Sequence, residues 1–530
     1  MYAAPLEWAL GAAVIVAVAV LNLRGLPGSW LGDDFSHFNI IAQTDREGRL
    51  SEWLLGNFVR PLDNGNFAYR PILFLSYALD WRLWGANAIG GHLVNLVLHL
   101  ANSLLVGCLA IRWASRRRAT AGIVSAAVFA AYPFAGEVSF WVAGRSDLLA
   151  VLFGLLFLLS LTGFHGKRTA YVTTLRVILL LLALLSKESA VPLPLVVTLL
   201  LVVRTPEERG GSVRKHPLIA RSIAVVRELF PIWTAFAAYL AWRLWLFGTP
   251  LSVYPTSRLP SGLWDYFDRL ALLRALGQQH PGLPWPALWP ILFMLLLAGL
   301  VVSWASARPS KASGAVIVGF VIAAAIYILS PSLSLPYAAG TNGEGARNYY
   351  FAWIFVSTAI GLLALESRLA LAVSLVLTAW MLVGQEGSTR QWQEAARLMR
   401  VVTNAVPAVA REIGPDRYAA LLLPDHLGVA LFARNAQGGI VMRPTQQVDY
   451  LDRLAGMLDT DIDHWRKLIA GGGLDGVHGR HLETGAFAGV FCLGQDLRIV
   501  QIDQGGTMPG RDWARSLLKQ AAAAGCVLTR

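Results

Sequence analysis

Two adjacent carboxylates, Asp33 and Asp34, follow the first apolar stretch of the chain, inside Trp30-Leu31-Gly32-Asp33-Asp34-Phe35-Ser36-His37-Phe38-Asn39. Carboxylates at a membrane–water boundary are costly unless solvated or paired, so such a pair invites a functional reading. A hydroxyl that attacks an activated sugar must lose a proton, and a carboxylate can take it. A carboxylate beside another carboxylate is a better base, because like charges disfavour ionisation. One of the two can then act as base while the other orients the acceptor. The bland alternative is that they cap a helix beginning near Phe35.

Three further clusters carry charge where charge is expensive. Glu137, Arg145 and Asp147 lie in a short connection between apolar stretches, with Gly136 and Gly144 permitting tight turns. The planar fork of Arg145 suits a phosphate, and Glu137 could bind a sugar hydroxyl or hold Arg145. The alternative is a structural pair of Arg145 with Asp147 or Glu137. Ser186-Lys187-Glu188-Ser189 interrupts an apolar run. Neighbours on a helix do not face each other, so Lys187 and Glu188 should reach different partners; Lys187 is a second phosphate ligand, or both groups snorkel at a helix end. In Gly345-Ala346-Arg347-Asn348-Tyr349-Tyr350, Arg347 with Tyr349 or Tyr350 could bind phosphate, or the stretch is an aromatic belt. No metal site is expected: His92 and His99, seven apart, would stand about 10.5 Å apart along one helix. No GxSxG, Walker or strand-borne GxGxxG pattern is present.

The elements that must position these groups are mostly apolar. The 530 residues are 55% hydrophobic and 15% charged, against about 45–50% and about 25% in soluble domains. The chain therefore reads as a mainly α, polytopic membrane protein. Runs near the ~20 residues that cross a bilayer fall at about 8–23, 91–111, 120–134, 146–164, 174–187, 190–203, 228–247, 287–304, 314–330, 348–365 and 368–384, eleven spans in all. The net charge of +12 sits largely in basic loops, including Arg116 to Arg118, Lys167-Arg168, Arg204 to Arg227 and Arg308 with Lys311. All fall on one side if the N-terminus is cytoplasmic. No basic patch suits nucleic acid. The first loop (24–90), the connections holding Glu137 and Lys187, the loop before Arg347 and everything after 384 then share the opposite side. Within the first loop, Phe35 to Ile41 and Leu50 to Phe58 read as short interfacial helices, and Ile72 to Trp84 as an amphipathic surface segment.

Residues 385–530 differ in kind. Helical patterns (Gln391 to Ile413, Asp449 to Leu468, Asp512 to Ala524) alternate with strand-like runs (Tyr418 to Leu423, Gly428 to Phe432, Ala488 to Leu493, Leu497 to Ile502). The expected division is a transmembrane domain over 1–384 and a soluble α/β domain over 385–530. Cys492 and Cys526 could pair if that domain faces an oxidising compartment, while Cys108 reads as a small core residue.

Several blocks resemble one family. They are Tyr69-Arg70-Pro71-Ile72-Leu73 with Leu79-Asp80, His92 through His99 with Asn95 and Asn102, Phe129 through Asp147, Leu185-Ser186-Lys187-Glu188 and, weakly, Arg347 through Tyr350. In order and spacing they resemble TMTC-like membrane O-mannosyltransferases and their bacterial relatives, which are similar to GT-C glycosyltransferases. The resemblance implies a GT-C-like bundle and a polyprenyl-phosphate sugar donor. It further implies a protein or glycan acceptor and an inverting transfer that needs no metal or other cofactor, at the outer face of the inner membrane. It places Asp33 or Asp34 as general base, and the reading of the charged clusters above then puts Arg145, Lys187 and Arg347 on the donor phosphate. Glu137, Asp147, Arg70, Glu188, Tyr349 and Tyr350 are then expected around sugar and acceptor. The tail departs from the family: it has no tetratricopeptide periodicity, which leaves the acceptor class open. The other classes in play are a lipid-linked glycan polymerase or flippase, and a membrane receptor with a binding tail.

Overall fold

The computed structural model describes residues 4–26, 28–60, 68–163, 170–203, 218–251, 261–262, 264–265, 288–307, 309–331, 345–414, 417–433, 436–450, 453–457, 487–503 and 519–527. Helices run α1 (Ala4–Gly25), α2 (Asp33–Arg46), α3 (Leu50–Gly56), α4 (Pro71–Trp84), α5 (Ala88–Trp113), α6 (Arg118–Ala130), α7 (Ala135–Ser139), α8 (Arg145–Gly163), α9 (Ala170–Ser186) and α10 (Leu193–Val203). They continue as α11 (Leu218–Phe247), α12 (Leu288–Ala307), α13 (Lys311–Leu329), α14 (Tyr350–Leu363), α15 (Arg368–Ile413) and α16 (Gln437–Val441). A helix stands in each stretch expected to be an apolar span. Six of the described helices are long and apolar enough to cross a membrane, among them α5, Val142–Thr162 and Val225–Phe247; shorter apolar ones include Arg118–Ala130 and Ala170–Ser186. The chain is thus mostly helical and multi-pass in character. The basic residues of 164–169 and 204–217, and Arg308, lie outside the described residues.

Local chemistry explains the breaks. Pro71 opens α4 at a position where its missing N–H costs nothing. Asn87 caps α5, its side chain accepting from the Ile89 N–H at 3.1 Å. The apolar run around Lys187 is a broken helix. α9 stops at Ser186, Lys187 takes an extended backbone, and a 3-10 turn leads to Pro192 and α10. Pro192 has no N–H to offer the Glu188 carbonyl four residues back, and its ring crowds that carbonyl, which opposes one continuous helix.

Two expectations about the outer face change. The connection 131–144 is not an open loop: it folds into α7 and a 3-10 turn and every residue is buried. The predicted span 368–384 and the predicted helix from Gln391 are one helix, α15, of 46 residues. Its first half is apolar. Its second half buries Trp392, Ala395, Ala396, Met399, Val402, Val406 and Val409, a stripe at helical spacing. Nothing in 385–390 interrupts the pattern with a proline.

The tail forms a four-stranded sheet, order β4-β1-β5-β6, from β1 (Tyr418–Leu422), β4 (Leu454–Met457), β5 (Phe487–Leu493) and β6 (Ile499–Asp503). β1 runs parallel to β4 and β5, and β6 is antiparallel to β5. A separate hairpin pairs β2 (His426–Leu427) with β3 (Ala430–Leu431). The expected helix Asp449 to Leu468 starts instead with β4, because Leu454 to Met457 pair with Ala419 to Leu422; sheet pairing overrides weak local propensity. Residues 458–486 and 504–518, which hold the rest of that segment and of Asp512 to Ala524, lie outside the described residues. Cys492 and Cys526 form a disulfide. Cys108 is exposed on α5 rather than in the core.

Packing shows two cores. One fills the helix bundle. The other joins Trp30, Phe35, Phe38 and Ile41 of the first loop, Leu73, Phe74 and Tyr77 of α4, Phe140 to Ala143, the second half of α15 and the tail's Leu421, Phe432 and Phe491. The first outer loop and the tail therefore share one apolar interior.

Candidate functional site

Gly32 sets the entry to the site. Its backbone, at φ 52°, lies where glycine alone is comfortable, and it turns the chain straight into α2. The helix begins at Asp33, with no side-chain cap, so the capping role expected for this pair is not taken up. Both carboxylates sit at the positive end of the helix dipole. Asp34 turns inward. It accepts the Ala143 N–H at 2.8 Å, the Val142 N–H at 3.2 Å and the Leu31 N–H at 3.3 Å, clamping the buried 140–144 turn to the first loop. Burial pushes its carboxyl up to about 8, outweighing these N–H groups. Asp33 stays half-buried. The imidazole of His37, held below its ordinary value first by burial, feels Asp33 on one side and Arg70 on the other.

Four of the expected residues meet in one cluster. Glu137, carried by α7, accepts the backbone N–H groups of Gly345 and Arg347, each at 2.8 Å, and pairs with the Arg347 guanidinium. It holds Arg347, not Arg145. Gly144 lets this turn close, since a Cβ there would meet the Glu137 carbonyl oxygen at 2.5 Å. Arg347 also lies 3.9 Å from Asp147 and stacks on Trp141, 4.4 Å from the ring centre. Lys187 Nζ donates to both Asp147 oxygens at 2.7 Å and to Asn348 Oδ1 at 3.2 Å. Asp147 stands in the first turn of α8, where the helix dipole favours its charge.

Glu188 faces the other way, since the extended backbone at Lys187 sends successive side chains to opposite sides. It is held by Arg70 at 2.9 Å, Arg243 at 3.4 Å and the Tyr69 N–H at 2.8 Å. Among the described residues, four cations (Lys187, Arg347, Arg70, Arg243) meet three carboxylates (Glu137, Asp147, Glu188) across both clusters. Arg347 and Arg70 are the cations that reach water, their side chains 19% and 22% exposed.

Arg145 is not in either cluster. It is fully buried and bound to Asp80 at 2.6 Å, Asn95 Oδ1 at 2.7 Å and the Gly91 carbonyl at 2.8 Å. Its partner is Asp80 rather than Asp147 or Glu137, and its donors knit α4, α5 and α8 together. Tyr349 and Tyr350 are buried too; the Tyr350 hydroxyl lies 2.8 Å from His99 Nδ1. Asp80, Asn95, Asn348, Trp141 and Arg243 were not singled out as site residues from sequence. Arg243 carried a signal, being an isolated arginine in an apolar helix; Asp80 and Asn95 stood only as members of the resembling blocks. Among the described residues no group of three or more His, Cys, Asp or Glu is gathered to hold a metal.

No protein-family model matches the chain. Two curated relatives are the Protein O-mannosyl-transferase Tmtc1 of Drosophila melanogaster and TMTC1 of Homo sapiens. The first is 33% identical over 178 residues, covering 32% of this chain and 20% of the relative. The second is 31% identical over 160 residues, covering 28% and 18%. The match thus spans about a fifth of the length of these curated relatives. Among solved structures, ArnT from Cupriavidus metallidurans bound to undecaprenyl phosphate aligns with a TM-score of 0.44 at 14% identity, over 86% of this chain and 91% of that one. The Archaeoglobus fulgidus oligosaccharyltransferase aligns with a TM-score of 0.39 at 12% identity, over 77% and 60%. Likeness at that level fixes no residue's role. Over about a third of its length, this chain resembles the TMTC O-mannosyltransferases in sequence.

Proposed function

We propose that the chain is a membrane glycosyltransferase that moves a sugar from a polyprenyl-phosphate donor to an acceptor hydroxyl on the outer side of the membrane. The observation that carries this reading is the convergence of Arg347, Lys187 and Arg70, from three separate stretches of the chain, on the buried carboxylates Glu137, Asp147 and Glu188. Arg347 and Arg70 are water-accessible, and Lys187 lies behind them on Asp147. Such a cluster can hold a lipid-linked phosphate and stabilise the charge that develops as it leaves. In this reading Arg145 acts at one remove, fixing the helices that carry the cluster.

Asp33 is the general base. Asp34, spent on three N–H groups, holds the turn behind it. Asp33 takes the acceptor proton, the hydroxyl oxygen attacks the anomeric carbon, and the phosphate leaves from the opposite face with inversion. Glu137, Glu188, Asp147, Tyr349 and Tyr350 keep the cations and the 345–350 turn in place. The chemistry asks for no metal. The Cys492–Cys526 disulfide supports a tail in an oxidising compartment, such as the periplasmic face of an inner membrane. The basic loops then support a cytoplasmic N-terminus.

The test is an assay of purified protein in lipid nanodiscs with a panel of polyprenyl-phosphate sugars, mannose first because the curated relatives are named protein O-mannosyl-transferases. Loss of the base lowers turnover by about 10²–10⁴-fold, so Asp33→Asn should abolish most sugar release and Asp34→Asn should lower it less. Full turnover in the Asp33→Asn variant refutes the assignment, and no turnover of any donor by the unaltered protein refutes the reading.

A further inference from the structure

Arg347 is held by two kinds of partner. Its guanidinium pairs with Glu137 and lies 3.9 Å from Asp147. Its central carbon also stands over the Trp141 ring, 4.4 Å from the ring centre. The two kinds differ in what they leave for a ligand. A carboxylate fixes a cation and neutralises it. An aromatic face attracts the cation through its quadrupole and brings no negative charge to compete with a phosphate.

Trp141 is fitted for that task by its setting. It is 5% exposed, and its backbone is pinned. Its carbonyl accepts the Asn95 side-chain amide at 3.0 Å and the Gly144 N–H at 3.0 Å. The Asn95 amide also donates to the Val138 carbonyl at 3.0 Å, which holds the approach to the turn. The two residues after Trp141, Val142 and Ala143, give their N–H groups to Asp34 at 3.2 and 2.8 Å. One turn is thus fixed to α5 by Asn95 and to α2 by Asp34, and it carries the ring beneath Arg347.

The indole is a costly choice for a filler. Its N–H is buried and has no hydrogen-bond partner among the described residues. An unpaired buried donor is unfavourable, and phenylalanine would occupy an apolar place without it. What an indole adds is the strongest cation-attracting face of the aromatic side chains.

We propose that Trp141 is the positioning residue of the donor-phosphate cation: its ring holds the Arg347 charge in place for the phosphate, and the turn clamped by Asp34 ties that charge to the loop bearing Asp33. The inference rests on the glycosyl-transfer reading above and deepens it. Trp141 makes and breaks no bond. Its effect falls on the lipid phosphate and leaves the acceptor hydroxyl untouched. A tryptophan that only filled the core would move both substrates together.

The test uses the full chain in nanodiscs. Undecaprenyl phosphate is the binding probe; undecaprenyl-phosphate mannose with a serine- and threonine-rich peptide serves for turnover. Tryptophans carrying one to four fluorines, introduced at position 141 alone, keep the shape of the ring while weakening its negative face. The Kd for undecaprenyl phosphate, read by native mass spectrometry, should rise step by step with fluorine count, reaching about fivefold with four, the order expected of a desolvated cation–aromatic contact. Donor KM should rise with it while peptide KM stays unchanged. In an Arg347→Gln background the series should be flat, since the ring then has no cation to hold. A flat Kd across the series with Arg347 present, an undiminished slope after Arg347→Gln, donor and peptide KM rising together, or no binding of undecaprenyl phosphate at all overturns the inference. Lipid phosphate bound with the expected pattern but no donor turned over overturns the glycosyl-transfer reading instead and leaves the role of Trp141 standing.

Discussion

Asp80→Asn is the sharpest single test of how the site is held. Arg145 has no exposed surface, and Asp80 lies 2.6 Å away with a side chain 4% exposed. The remaining hydrogen-bond partners, Asn95 Oδ1 and the Gly91 and Ser76 carbonyls, are neutral. Removing the one negative charge leaves a guanidinium buried without a counter-charge, which costs about 3–5 kcal/mol. Replacing both partners by apolar groups removes the buried charge itself and is often neutral. The pair Asp80→Leu/Arg145→Met should therefore cost less than the two single changes added together, with a coupling of several kcal/mol. The measurement is a double-mutant cycle on unfolding in detergent, run beside donor KM. If Arg145 instead gripped the donor phosphate, Arg145→Met would raise donor KM and leave Asp80→Asn nearly silent in stability. A cost below about 1 kcal/mol for Asp80→Asn would refute the structural role, given the usual size of buried-charge penalties.

Three further outcomes follow from the same geometry. Lys187→Met leaves Asp147 without its 2.7 Å partner; it should destabilise by about 3–5 kcal/mol, and adding Asp147→Asn should restore much of that on the same unfolding assay. The native state binds the Asp34 proton more tightly than the unfolded chain does, with a carboxyl at about 8 against 3.8. Its effect on stability is therefore a loss as pH rises from the ordinary carboxyl range toward 8, at up to about 1.4 kcal/mol per pH unit; unfolding midpoints between pH 5 and 8 should flatten in Asp34→Asn. Reducing the Cys492–Cys526 bond, which closes a loop of separation 34, should cost about 3–4 kcal/mol on the chain-entropy account, read as earlier proteolysis of the tail under reductant.

Much of the bundle was legible because a bilayer-crossing helix has to be apolar for most of its length, and α5, α8, α11, α12 and α13 advertise themselves that way. The interruption at Ser186-Lys187-Glu188 was legible as charge inside an apolar run, though the sequence left two helices or one broken helix open. Less legible was which charge meets which. Glu137 and Arg347 are 210 residues apart in sequence, and nothing local distinguishes Arg347 from Arg145 as the partner of Glu137. The continuity of α15 was hidden by its change of surroundings: apolar all round in the bilayer, striped outside it. β4 was hidden because a four-residue edge strand has too little pattern to outvote the helical-looking residues around it. The shared interior of first loop and tail could not be read at all, since a periodic stripe tells that a face is covered and not by what.

That shared interior also sets an order of events at the ribosome. Residues 30–42 emerge early, but their apolar partners at Trp392 and beyond are made about 350 residues later. At the usual synthesis rate of about 5–20 residues per second, the first loop waits roughly 20–70 s for the material that completes it. During that interval Trp30, Phe35, Phe38 and Ile41 have α3, α4, Ala88 and the 140–143 turn for company. The nascent protein is an inserted bundle with an unfinished head, and the Asp33 turn gains its Phe432 contact only when the last quarter of the chain has been translated and folded back.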